Sequence, residues 1–432
     1  MEWGWDNARA FIGIAMIFAI AWGLSENKKA FPWKIVLGAV GIQFAFALIL
    51  FGIPFVRDEV LFKANLVVDQ LISATRYGTE FVFGKLVGNS DNWIAFERTQ
   101  LPPEDTGVIF AVQLLPLIIV VAALSAILWH WHILRWVTKG FASIFRRFMG
   151  LGGATSLAVS ANVFMGMTEA PVLVKPYLKG MSRSEIFILM VAGFATVAGS
   201  VLVLYGVFLK DVLPNALGQL LAASLIAAPA AVALALVMVP ESVDSKLRAH
   251  EPDFEYESTM DAFATGASDG LKILANIVTM LIAAFALLYL ANAALGALPD
   301  VRGAPLSIER VLGWVFAPIM YMVGVPMAEA AQSGSLIGIK TVLTEFVAFL
   351  QLAGEGGEGL SERSTMITAH AICGFANFGS IGILIGGLSI IEPQRRTTFL
   401  ELAWKTLVAG TLATCLSGAV VGALPANLFF GS

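Results

Sequence analysis

The residues best able to do chemistry in this chain are a few polar groups set among glycine, proline and apolar side chains. In Asn162-Val163-Phe164-Met165-Gly166-Met167-Thr168-Glu169-Ala170-Pro171 a carboxylate lies between two residues that interrupt helices. A second carboxylate, Glu329, lies in Met327-Ala328-Glu329-Ala330-Ala331, shortly after Pro326. Asn377 and Ser380 are one helical turn apart, so a helix presents an amide and a hydroxyl on one face. Together these groups suit a neutral, polyhydroxylated solute, because carboxylates accept hydrogen bonds from hydroxyls. Asn162 and Thr196, with backbone oxygens exposed near Met165 and Val197, are hard oxygen ligands for a small cation, or else hydrogen-bond partners between helices. Paired acids also occur in glycoside hydrolysis, which needs a water route and a set separation of the acids that spacing alone does not supply. Each acid also has a plainer reading, as the cap of a broken helix or the partner of a lysine.

These groups must be positioned in lipid. The 432 residues are 58% hydrophobic and 13% charged, with a mean hydropathy of +0.80, whereas a soluble domain carries roughly 25% charged residues. The chain reads as an all-α polytopic membrane protein. A carboxylate at bilayer depth costs about 2.5–3.5 kcal/mol on insertion scales, so Glu169 belongs against a cavity, a partner or an ion. The net charge of −4 is scattered, with no basic field for nucleic acid. Cys373 and Cys415 lie in apolar segments and give neither a disulfide framework nor a zinc pattern. His130 and His132 point to different faces of a helix, at an aromatic and basic interface. The first residues lack the basic start of a secretory signal, so the first apolar segment is retained as a span.

Apolar runs at 8–24 and 34–56 predict two spans, with three lysines in the connecting loop marking it cytoplasmic. Residues 57–105, interrupted at Gly78 to Gly84, predict an outer interfacial helix. Spans follow at 107–134, 184–209, 216–239, 270–297, 365–391 and 401–429, giving eight with both termini outside. Residues 150–181 carry basic residues at both ends and predict a re-entrant hairpin from the cytoplasmic side, with Glu169 near its tip. The segment holding Glu329 predicts a second hairpin from the outer side, and 241–259 a polar cytoplasmic loop. Two blocks recur in order: a hairpin carboxylate, then a helix broken after Gly-Phe-Ala at Gly193-Phe194-Ala195 and Gly374-Phe375-Ala376. Opposed hairpins make this an inverted repeat, which puts a transport site at the repeat interface. The expected division is a scaffold over 1–148, a first transport half over 149–240, a loop with long and interfacial helices over 241–310, and a second transport half over 311–432.

Four stretches resemble the concentrative nucleoside transporters. They are Gly78-Thr79-Glu80-Phe81-Val82-Phe83-Gly84, Ala161 to Pro171, Gly338-Ile339-Lys340-Thr341 with Glu345-Phe346-Val347-Ala348, and Cys373-Gly374-Phe375-Ala376-Asn377. The resemblance implies a homotrimer in a cell membrane, eight spans, two opposed hairpins and three interfacial helices, with a nucleoside substrate and no organic cofactor. Carried over by position, it assigns ribose binding to Glu329, Asn377 and Ser380, and the nucleobase side to Thr168, Glu169 and Val201. Gly166, Met167 and Phe375 complete the substrate set. The sodium site resembles Asn162, Met165, Thr196 and Val197, and the retained amide and hydroxyl favour sodium over proton coupling. Two departures stand out: Met167 replaces a glutamine common in the family, and Ala328 replaces an asparagine. Loss of a directional amide at Met167 implies a shift towards purine nucleosides. The rival classes are a proton-coupled symporter, a membrane-embedded enzyme and an ion channel. No ring of like charges favours the last.

Overall fold

The computed structural model describes residues 4–84, 110–167, 169–241, 256–301, 303–425 and 427–430. Thr168, most of the expected interfacial segment beyond Gly84 and most of the 241–259 loop lie outside the described residues. The fold is all-α and polytopic, with one isolated bridge between Val301 and Ala304 among the described residues.

Helices α1 (Trp5–Gly23) and α2 (Trp33–Gly52) are followed by a π-helical turn and α3 (Phe62–Phe83). The expected interruption at Gly78 is absent, because α3 runs unbroken to Phe83. Next come α4 (Leu117–His130) and α5 (Ile133–Met149), then α6 (Gly153–Asn162), which opens the first hairpin. Two one-turn helices, Ala170–Leu173 and Lys175–Leu178, return from its tip. Helices α7 (Arg183–Ala195) and α8 (Gly199–Leu209) form one span broken at residues 196–198, directly after Gly-Phe-Ala. They lead to α9 (Ala216–Met238) and the long α10 (Thr259–Gly296).

The second half begins with α11 (Ile308–Met322), which turns back by 120° into α12 (Met327–Val342). Helix α13 (Glu345–Ala353) completes a second hairpin. Helices α14 (Glu362–Ile372) and α15 (Phe378–Ile391) are a second broken pair, and α16 (Arg396–Ala423) closes the fold. Six described segments are long and apolar enough to cross a membrane, the broken α7–α8 pair counting as one; α1, the α14–α15 pair and the bent α11–α12 pair stand outside that count.

The second hairpin is not where the Glu329 motif put it. The chain bends at Val323–Pro326, but α12 then runs without interruption, so Glu329 sits in its first turn. At 1.5 Å per residue the tip at Leu343–Thr344 is about 22 Å further on.

Small residues let these elements approach. Gly266 and Gly270 on α10 leave room for Ala126 and Ile119 of α4, where an added Cβ would come to 2.7 and 2.6 Å. That is the Gly-x-x-x-Gly device of helix pairing in lipid. Helix α1 is fastened to the second half at both ends. Asn7 Nδ2 donates to the carbonyls of Gly422 and Leu424, and Arg9 donates to those of Tyr321 and Val325. Past its other end, Glu26 accepts from Arg183 at 3.1 Å and Lys405 at 2.6 Å.

Candidate functional site

Both hairpin tips and both broken helices converge on a cavity of about 200 Å³. From the first half it is lined by Gly166, Met167, Glu169, Val201 and Tyr205. Thr344, Glu345, Phe375, Asn377 and Ser380 face them from the second half, and Ile273, Asn276 and Ile277 of α10 close one side.

The second-half wall is built from helix starts. Thr344 caps α13 by accepting from the Val347 amide at 3.3 Å, which places Glu345 as the first residue of the helix. A helix N-terminus carries partial positive charge and favours a carboxylate there. Asn377 caps α15 in the same way, its Oδ1 accepting from the Ser380 amide at 2.8 Å. Its Nδ2 donates to Glu345 Oε2 at 2.9 Å, while the Tyr205 hydroxyl donates to Glu345 Oε1 at 2.8 Å. One carboxylate thereby joins the second hairpin to both broken helices. A carboxylate offers about four acceptor positions, so Glu345 can still accept from a solute.

Behind this wall lies Lys340, fully buried, whose ammonium donates to Thr414 Oγ1 at 2.6 Å and the Ala371 carbonyl at 3.3 Å. It ties α12 to the end of α14 and to α16, holding the second break in place.

The first-half wall is a loop. Gly166 donates its amide to Glu169 Oε2 at 3.2 Å, and Gly199 donates to the Phe164 carbonyl at 3.1 Å, pinning the tip to α8. The tip packs under Gly193, where a Cβ would stand 2.9 Å from Met167 Cβ and 3.5 Å from Asn162 Oδ1.

Asn162 and Thr196 meet behind this tip. The Thr196 hydroxyl donates to the carbonyls of Asn162 (2.8 Å) and Ala192 (2.9 Å), which directs its lone pairs elsewhere. Asn162 Nδ2 donates to the Ala158 carbonyl at 3.0 Å, but its Oδ1 is buried without a hydrogen-bond partner. An orphaned buried oxygen is costly unless something binds it. Met165 and Thr196–Val197 lie in the two adjoining breaks, where carbonyls leave the helical pattern. Oxygen donors without sulfur or imidazole fit a hard cation.

Of the residues singled out in the sequence, the structure brings Gly166, Met167, Glu169, Val201, Phe375, Asn377 and Ser380 to one cavity. Thr168 is outside the described residues. Glu329 does not join them. Its Oε2 accepts from the Ser361 amide and hydroxyl, both at 3.0 Å, bracing the start of α14 far from the tip. Ala328, exposed beside it, does not line the cavity either. The carboxylate that sequence reasoning missed is Glu345. The signal was present in the Thr-Glu pairs Thr168-Glu169 and Thr344-Glu345, each ahead of its Gly-Phe-Ala break.

An all-helical membrane fold with paired hairpins and broken helices around one cavity is that of a secondary transporter. The chain belongs to the concentrative nucleoside transporter family. Family profiles described as Na+ dependent nucleoside transporter N-terminus, Nucleoside recognition, and Na+ dependent nucleoside transporter C-terminus match residues 12–86, 111–211 and 219–422. An uncharacterized transporter of Haemophilus influenzae is 35% identical, covering 96% of each chain. Nucleoside permease NupC of Helicobacter pylori is 34% identical over 95% of this chain and 96% of its own. The solved structure of CNTnw in an inward-facing substrate-bound state has a TM-score of 0.86 at 34% identity, covering 98% of this chain and 99% of that one. A variant of CNTnw in an outward-facing state gives 0.87 at 34% identity, covering 99% and 98%.

Proposed function

We propose that this protein imports nucleosides by alternating access, driven by inward movement of sodium. The observation that carries the reading is the Glu345 carboxylate, held by Tyr205 and Asn377 and turned to a cavity whose other wall is Glu169 and Met167. Glu345, Asn377 and Ser380 take the ribose hydroxyls, and Gly166, Met167, Glu169, Val201 and Phe375 surround the base. Thr168, next to Glu169 in sequence, belongs on the base side. A free base would leave Glu345 without its hydroxyl partners, which is how the site selects nucleosides.

Sodium is held by Asn162, Thr196 and the carbonyls at Met165 and Val197. The cation neutralises buried oxygen dipoles, and its ligands run directly into Gly166 to Glu169. Fixing one end of the tip therefore orders the residues that meet the base, so ion and substrate favour the same state. The moving body comprises residues 149–240 and 311–432. Helix α1 travels with it, given its bonds to Tyr321, Val325, Gly422 and Leu424. The α4–α10 pair is the wall against which it moves, in a homotrimer in a bacterial inner membrane. Met167 offers the base a polarisable thioether instead of an amide, which favours large flat purines.

Uptake into proteoliposomes under an inward sodium gradient tests the reading. Adenosine and guanosine accumulate ahead of uridine, adenine does not, and replacing sodium with potassium abolishes accumulation. Sodium-independent, pH-driven uptake would select proton coupling instead. Product release without a gradient would select an enzyme.

A further inference from the structure

A second cavity of about 290 Å³ adjoins the first and shares with it Glu169 and Ile273. It is walled by Trp129, Tyr256, Asp269, Thr265, Ser125 and Ser200 among others, none of which lines the first cavity. The two lie along one helix face. On α10, Thr265, Asp269 and Ile273 border the second cavity, and Ile273, Asn276 and Ile277 the first, at helical spacings of three and four. That face extends about 16 Å from Thr265 to Asn276. Glu169, tied by Gly166, stands where the two cavities meet.

The second cavity repeats the chemistry of the first. Asp269 supplies a carboxylate, one oxygen of which accepts from Lys272 at 2.7 Å. Tyr256, half-exposed, supplies a ring on which a base can stack, and Trp129 borders the same cavity. Trp129 is 97% buried, by its 3% exposure, and its indole Nε1 has no hydrogen-bond partner. A buried indole N–H without an acceptor points to a ligand that supplies one. Arg135 lies over the Trp129 ring at 5.5 Å, and with Lys139, Arg146 and Arg147 marks this end as cytoplasmic by the positive-inside rule.

We propose that this second cavity is a release-side nucleoside station, in which Asp269 takes the ribose and Trp129 and Tyr256 hold the base after it passes Glu169. The inference rests on the nucleoside-import reading. It predicts weaker binding than at the first site, because two half-exposed groups, Asp269 and Tyr256, replace the buried Glu345–Tyr205–Asn377 set.

Equilibrium dialysis of labelled adenosine against the purified full chain in sodium tests it. The wild type binds two molecules per protomer, the second about tenfold more weakly, the equivalent of one 1.4 kcal/mol step. Glu345→Gln loses the tight event and keeps the weak one. Trp129→Phe combined with Asp269→Asn loses the weak event, keeps the tight one as proof of folding, and slows release from preloaded proteoliposomes. A single tight event in the wild type overturns the station while leaving import intact, as does a weak event that survives the double variant. No adenosine or other nucleoside binding at all overturns the import reading, and the station with it.

Discussion

In the first hairpin the chain from Val163 to Met167 is loop, whereas in the second only Leu343 and Thr344 separate two helices. The loop exposes oxygens and bends around Gly166; the short turn aims a helix start at the cavity. Each half consequently does what the other cannot. The first gathers Asn162, Thr196 and backbone carbonyls in a geometry that a cation can tighten. The second fixes one carboxylate through Tyr205 and Asn377 before any solute arrives. The difference teaches that related hairpins can present different groups to one cavity, a loop of backbone oxygens or a capped helix start, through the length of their tips.

From the first half, the comparison is broken by one added methyl. Gly193→Ala pushes a methyl against Met167 Cβ at 2.9 Å. Overpacking of this kind costs about 1–3 kcal/mol. We expect the half-saturating sodium concentration for uptake to rise about tenfold with maximal rate little changed. Unchanged sodium affinity would separate Gly193 from the cation site.

A smaller effect sharpens the base side. Met167→Gln restores an amide, and one neutral hydrogen bond is worth about 0.5–1.5 kcal/mol, or roughly 2–10-fold. Competition between uridine and adenosine for uptake should move towards uridine by that factor. No movement would remove Met167 from base selection.

The smallest concerns the Glu26 tie that follows α1. Burial raises the Glu26 carboxyl, but Lys405 and Arg183 outweigh it and hold the group below its ordinary 4.5. A lowered folded-state value contributes stability that is present above the unfolded value and lost as pH falls through the folded one. The melting temperature of Glu26→Gln should lie slightly below wild type at pH 7, and the gap should close as the pH drops below about 4. A gap that persists in acid would assign the tie to packing.

Much of this was legible in the residues. Gly-Phe-Ala located both helix breaks, because glycine at 193 and 374 is demanded by close approach: a Cβ at 374 would stand 2.7 Å from the Phe194 carbonyl oxygen. Asn377 and Ser380 were readable as one face, and in the fold that spacing is a cap. Glu329 misled because Pro326 does bend the chain there, so a true break was matched with the wrong element. Glu345 hid in an apolar run, although it precedes Gly374 by 29 residues, close to the 24 between Glu169 and Gly193 and unlike the 45 from Glu329. Tyr205 carried no signal at all. Its role exists only because α8 brings its hydroxyl to a carboxylate 140 positions away.

The most direct test sets the two second-half carboxylates against each other. Initial uptake of labelled adenosine is measured for Glu345→Gln and Glu329→Gln reconstituted at equal density. A charge-assisted hydrogen bond contributes about 1.5–3 kcal/mol, so Glu345→Gln should lower uptake by about 100-fold. Glu329→Gln, which only loosens the brace to Ser361, should stay within about threefold. Near-normal uptake by Glu345→Gln, or the larger loss in Glu329→Gln, would contradict the account.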